Sequence, residues 1–174
     1  MENNKKTVLD KLDDLLKPNG FKRNGNTWYF RGKNDVLILI NFQKSVYSSS
    51  FYLNFGVYFE KLAGIKTKPP AVYDWQFAMI YDTLMLFLNP KIEKDSIPST
   101  IPLNVPEDQI KQNLIIISSN IETYILPFLQ KLTDYEFLLN NFPQNFPANI
   151  FWTQNYKRED LRQFFINEKI KIKD

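Results

Sequence analysis

Cysteine and histidine are both absent from the 174 residues. Without cysteine there is no disulfide and no thiolate nucleophile, and without histidine no imidazole relays protons near neutral pH. The two absences together remove the ligand sets of the usual structural zinc sites. Glycine is scarce, at five residues, and Gly20, Gly25 and Gly32 follow a helix or sit in turns rather than in a phosphate-cradling loop. No apolar run reaches the ~20 residues that span a bilayer. The opening Met1-Glu2-Asn3-Asn4-Lys5-Lys6 is polar and leads into an amphipathic segment, not into the apolar stretch of a secretory signal. A cytoplasmic location without membrane contact is the expectation.

What is present is a core. Hydrophobic residues make up 44% of the chain and aromatics 16%, a globular content outside the disordered class. The length fits one domain over residues 1–174, and a chain of this size buries roughly 70% of the surface it would expose unfolded. Twenty-two Lys and Arg against nineteen Asp and Glu leave a net charge of +3, with the signs interspersed. That is too mild for the basic stripe that phosphate binding requires, so nucleic acid is not the expected partner. Lys169, Lys171 and Lys173 alternate with Ile170 and Ile172, a pattern of a frayed end or a short edge strand. The Lys-, Asn- and Ile-rich usage fits an AT-rich bacterial genome.

Val8, Leu9, Leu12, Leu15 and Leu16 form one apolar stripe on a helix over residues 5–17, which Pro18 and Gly20 end. Asn24-Gly25 then separates two strands, as in a type I′ hairpin. Val36–Gln43 and Phe51–Phe59 are further strands, joined by the polar loop Ser45–Ser50. Val36, Ile38, Ile40 and Phe42 share one face, as do Phe51, Leu53, Phe55, Val57 and Phe59, so helices must cover it. Val72–Leu88 is rich in Tyr, Trp, Phe, Met and Leu, and period alone does not separate strand from buried helix there. Residues 89–104, with three prolines, form an irregular connection. Asn104 is placed to cap a helix of about 20 residues carrying Ile110, Leu114, Ile117, Ile121 and Ile125, which Pro127 kinks or ends. Thr133-Asp134-Tyr135-Glu136 has the form of a capping box for a short helix through Leu139. A Pro- and Asn-rich loop and a last helix near 157–167 complete the chain.

Few residues here carry chemistry. Glu107-Asp108 and Glu159-Asp160 sit at expected helix N-termini, where they favour the helix dipole, and they lack the further oxygen ligands of a magnesium or calcium site. No catalytic set, metal or cofactor is expected. Lys22, Arg23, Arg31 and Lys44, interleaved with Trp28 and Tyr29, form a small basic and aromatic patch better suited to a solvated strand edge than to single-stranded nucleic acid. The polar sheet face is the better candidate: Asn41, Gln43, Tyr52, Asn54 and Tyr58, with Tyr29 and Arg31 beside them, offer amide and phenol groups for a protein partner. Leu37 and Leu39 lie at its far end. The bland alternatives are that this face is merely solvated, or is covered by residues 142–156.

The stretch from Leu15 to Tyr29, with Gly20-Phe21-Lys22-Arg23 and Trp28-Tyr29, resembles the opening of the DUF4304 family. Ile40-Asn41-Phe42-Gln43-Lys44-Ser45 and Phe51-Tyr52-Leu53-Asn54-Phe55-Gly56-Val57 are similar to that family's next strands, so the resemblance spans about residues 8–60. It implies an α+β fold and a fourth strand near 72–81, and it supplies no activity. The expected architecture is an antiparallel four- to five-stranded sheet with N-terminal and long C-terminal helices packed on one face. The expected function is a non-enzymatic protein-binding module, immunity-like in one form. The alternative is a small-molecule sensor or enzyme with a pocket between the sheet and residues 89–104.

Overall fold

A computed structural model describes residues 2–65, 68–141 and 158–173. The apolar stripe of the first segment becomes helix α1, Glu2–Leu16, which buries Val8, Leu12, Leu15 and Leu16. Gly20, at φ 84, takes the left-handed turn that releases the chain into the sheet. Strands β1, Lys22–Asn24, and β2, Thr27–Arg31, then pair with Asn24 opposite Thr27, so the two loop residues are Gly25 and Asn26. Of these only Gly25 has a positive φ. The expected type I′ turn needs two such residues, so the turn is of the II′ kind, with glycine first.

Strands β3, Val36–Lys44, and β4, Ser50–Phe59, form the centre of the sheet, in register from Val36 opposite Phe59 to Lys44 opposite Phe51. Strand β5, Phe77–Ile80, lies outside β4, and the two-residue β6, Ile101–Pro102, pairs with the start of β4. The sheet runs β1-β2-β3-β4-β5, antiparallel throughout, with β6 beside β4. The fold is α+β, as expected, with one strand more. The fourth strand is shorter than the expected 72–81, because Val72–Asp74 is a 3-10 turn and Tyr81 opens helix α3, Tyr81–Leu88.

Alternation settles which side faces the helices. Ile38, Ile40 and Phe42 of β3, with Leu53, Phe55 and Val57 of β4, pack against Leu12 and Leu16 of α1 and against Ile110, Leu114 and Ile117 of helix α4, Glu107–Asn120. Phe42 and Phe51 stack at 4.3 Å on this face. The helix is not capped by Asn104, which is exposed; Pro106 is the N-cap and offers no side-chain acceptor. Nor does Pro127 end it. A π-helical turn, Ile121–Ile125, comes first, and helix α5, Leu126–Lys131, continues with Pro127 as its second residue, the π turn accommodating the hydrogen bond that proline cannot make. Helix α6, Tyr135–Asn141, is capped one residue later than expected. Asp134 Oδ1 accepts the Glu136 and Phe137 amides at 2.8 and 3.3 Å, while the Thr133 hydroxyl donates to the Gln130 carbonyl at 2.8 Å. Helix α7, Arg158–Lys173, extends through the lysine-rich tail, which is therefore neither frayed nor a strand. The Pro- and Asn-rich loop expected over 142–156 lies outside the described residues.

One polar junction ties α1 to the first hairpin. Asp13 Oδ1 accepts the indole N–H of Trp28 at 2.7 Å, and Oδ2 accepts Lys17 Nζ and Arg23 Nη1, each at 2.9 Å. Trp28 is fully buried, and the Arg23 guanidinium lies 5.2 Å over its ring. Burial pushes the Asp13 carboxyl up, but the hydrogen bonds from Lys17, Trp28 and Arg23 outweigh it and hold the group below the usual carboxylate range. A carboxyl lowered on folding stabilises above its unfolded value, and that stability is lost as pH falls through the folded one. Asp13→Asn is therefore expected to lose roughly 1–2 kcal/mol at pH 7 and to approach the parent protein near pH 3. Urea unfolding at the two pH values reads both effects.

Candidate functional site

The second face of the sheet is divided in two. Toward the Arg31 end of β2, Leu37, Leu39, Tyr58 and Ala78 form an apolar patch that Trp75, itself fully buried, covers. The indole reaches so close because Gly56 has no side chain: a Cβ there would lie 2.5 Å from Trp75 Cε3 and 2.1 Å from the Phe77 carbonyl oxygen. The short helix α2, Glu60–Ala63, and the turn after it close the same end. Tyr58 is 1% exposed, and its phenolic O–H points at the carbonyls of Ala63 and Gly64, at 3.0 and 2.8 Å. Gln76, also buried, accepts the Phe59 amide at 2.7 Å and donates to the Asp74 carbonyl at 3.1 Å, so this polar group is satisfied on both sides.

The other half is left open by the described elements. Thr27, Asn41, Asn54 and Ile80 stand in one row across four strands, and Gln43 faces Tyr52 in the next. Asn41 Nδ2 donates to Thr27 Oγ1 at 2.8 Å and to the Asn26 carbonyl at 3.4 Å. Asn54, only 6% exposed, donates to Gln43 Oε1 at 2.9 Å. These bonds fix the amides, so the shelf is preorganised. Tyr52 is half-buried on it and Gln43 is exposed. Such a shelf offers flat apolar contact and fixed donors and acceptors.

Of the seven residues the sequence singles out, four lie together here: Asn41, Gln43, Tyr52 and Asn54; Tyr29 pairs with Leu39 and packs against the sealed patch. Tyr58 belongs to the sealed half. Arg31 lies at the sheet's end, where its guanidinium grips the Glu60 carboxylate through both terminal nitrogens, Nη2 reaching Oε1 at 3.0 Å. The basic and aromatic patch is not assembled as a stacking platform, since Trp28 is buried and Arg23 and Arg31 are paired with Asp13 and Glu60. Ile97, Ile101 and Leu103 from the Pro-rich segment are core residues, while Pro90, Lys91, Ser99 and Asn104 of the same segment are exposed.

One feature was missed at the sequence level. The loop after β3 carries Val46 and Tyr47 at its tip, 85% and 94% exposed, beyond the Lys44–Phe51 pair and the Ser45–Ser50 hydrogen bond that follow Gln43 and Tyr52. Its signal was an apolar pair set among Ser45, Ser48, Ser49 and Ser50, where a purely solvated hairpin loop would be polar throughout.

A family model described as a domain of unknown function, DUF4304, matches residues 12–131. The chain belongs to the DUF4304 family. The match extends well past the segments that carry the resemblance in the sequence and takes in all of the sheet and the helix through α5. No curated protein and no solved structure matches the chain. Among the described residues of this DUF4304 protein, no group of three His, Cys, Asp or Glu could hold a metal ion, and no helix is long and apolar enough to cross a membrane.

Proposed function

We propose that this DUF4304 protein is a non-enzymatic binding module that holds a protein partner against the open half of its sheet, in a bacterial cytoplasm. The supporting observation is the pairing of that shelf with the exposed hairpin tip. Val46 and Tyr47 stand exposed on the loop that joins the strand bearing Gln43 to the strand bearing Tyr52, so exposed tyrosine and fixed amides share one end of the sheet, the composition of a protein-binding surface. An immunity-like role, in which the partner is a toxic protein held inactive, is one form of this function.

The test is capture by the tagged protein from lysate of its source organism, compared with a Gln43→Ala, Tyr47→Ala, Tyr52→Ala variant. Gln43 and Tyr47 are exposed and Tyr52 is half-buried, but Gln43→Ala also removes the acceptor of the buried Asn54 amide, so a native circular dichroism spectrum of the variant is verified before capture is compared. One stoichiometric protein retained by the parent and lost by the variant is the expected result. Equal capture by both would move the contact off this surface.

A further inference from the structure

A separate cleft lies off the sheet face, where the turn after β2 meets the corner between α5 and α6. It is an open groove of about 730 Å³, a volume within the range of small-molecule sites. Phe30 and Pro127 provide its apolar lining, and Arg31, Lys33 and Lys131 its positive charge. Asp134 is the one carboxylate among the lining residues, and its Oδ1 is turned to the amides at the start of α6. Lys33 and Lys131 are exposed and have no ion-pair partner among the described residues.

The walls are held rigidly. Asn34 Nδ2 donates to the Thr133 carbonyl at 2.9 Å, and the Tyr135 hydroxyl donates to the Asn34 carbonyl at 3.0 Å. Gly32 lies so close to Thr133 that a Cβ would stand 2.4 Å from its methyl group. Asn34 and Asp35 follow one another at φ 59 and 56, both left-handed and neither glycine. Asparagine and aspartate are the non-glycine residues that adopt this conformation most readily, and it shapes the turn that forms one wall. The Arg31 guanidinium is held by Glu60, whose side chain is 1% exposed, with the exposed Asp35 carboxylate 3.9 Å from Nη1, while Arg31 itself is half exposed. Two of its five N–H donors suffice for that carboxylate, which leaves others for a ligand.

We propose that this cleft binds a small organic anion, with a phosphate or carboxylate head on Arg31, Lys33 and Lys131 and an apolar body against Phe30 and Pro127. The site is independent of the sheet face, and none of its residues belongs to the proposed partner surface. Titration calorimetry on the full chain tests it, with phenyl phosphate and benzoate as probes and benzylammonium as the cation of like shape. Saturable binding of at least one aryl anion is expected, with none for benzylammonium. Lys33→Glu with Lys131→Glu is expected to weaken binding by about tenfold or more, and Lys33→Arg with Lys131→Arg to retain it. Both variants change exposed side chains, and an unchanged melting temperature verifies the fold. Absence of saturable binding by either anion, equal binding of the cation, or equal binding by the charge-reversed variant each overturns the assignment.

Discussion

Gly56→Val is expected to cost this protein more than about 4 kcal/mol, enough to leave most of it unfolded. Two effects oppose each other at this position. Valine is the better strand residue, and propensity alone would favour it by up to ~1 kcal/mol. Against that, the first atom of any side chain would stand 2.1 Å from the Phe77 carbonyl oxygen and 2.5 Å from the Trp75 ring. The carbonyl is backbone of β5, and no rotamer change relieves it; β5 would have to leave β4, and Trp75 would have to leave the patch over Leu37, Leu39 and Tyr58. The steric term therefore wins. Gly25→Ala is the control, since nothing lies within 4 Å of a Cβ there and only its φ of 61 is demanding, at about 1–2 kcal/mol, so that variant is expected to stay folded. Far-ultraviolet circular dichroism and urea titration of the two variants read the difference. A native-like Gly56→Val would mean that the indole does not cross the sheet at this point.

The same glycine shows how far the sequence reaches. Strand alternation assigns faces correctly, because side chains two apart must point the same way, and it gathered Asn41, Gln43, Tyr52 and Asn54 on one face without error. Alternation says nothing about what lies above a face. The sealing of Tyr58 depends on a tryptophan that arrives seventeen residues later by way of a proline-flanked loop, and on one absent side chain beneath it. Two clues were nonetheless present: Leu37 and Leu39 made the far end of the polar face apolar, and such an end calls for a cover. Pro127 failed as a stop signal for a related reason. Proline forbids a hydrogen bond locally, but Ile121 and Ile125 are buried on the same stripe as Ile110 and Ile117, and a π turn keeps that stripe continuous. At Asn104 and Thr133 the helix starts were placed within three residues but assigned to the wrong side chain, the ordinary error of judging a cap without its backbone.

The pair at the end of β2 leads to the second large effect, an asymmetry. Arg31→Met is expected to cost about 3 kcal/mol or more, whereas Glu60→Gln is expected to cost about 1 kcal/mol. The reason is unequal burial of the partners. Glu60 is 1% exposed at the side chain and Arg31 49%. Losing the guanidinium strands a carboxylate away from water; losing the carboxylate leaves a guanidinium that water already reaches. A double-mutant cycle with Arg31→Met and Glu60→Gln, followed by urea unfolding, separates these costs, and the double variant should be more stable than Arg31→Met alone. The sign with pH follows from the same burial. A lone buried carboxylate favours its protonated form, so the penalty of Arg31→Met is present at pH 7 and shrinks as acidification neutralises Glu60. Equal costs for the two single variants would show that Glu60 is hydrated in solution. The cycle also bears on the anion cleft, because Glu60→Gln keeps the positive charge of Arg31 but removes the carboxylate that orients it. A ligand held by charge alone would bind that variant more tightly, since a compensating negative charge is gone; one that needs a fixed guanidinium would bind it less well.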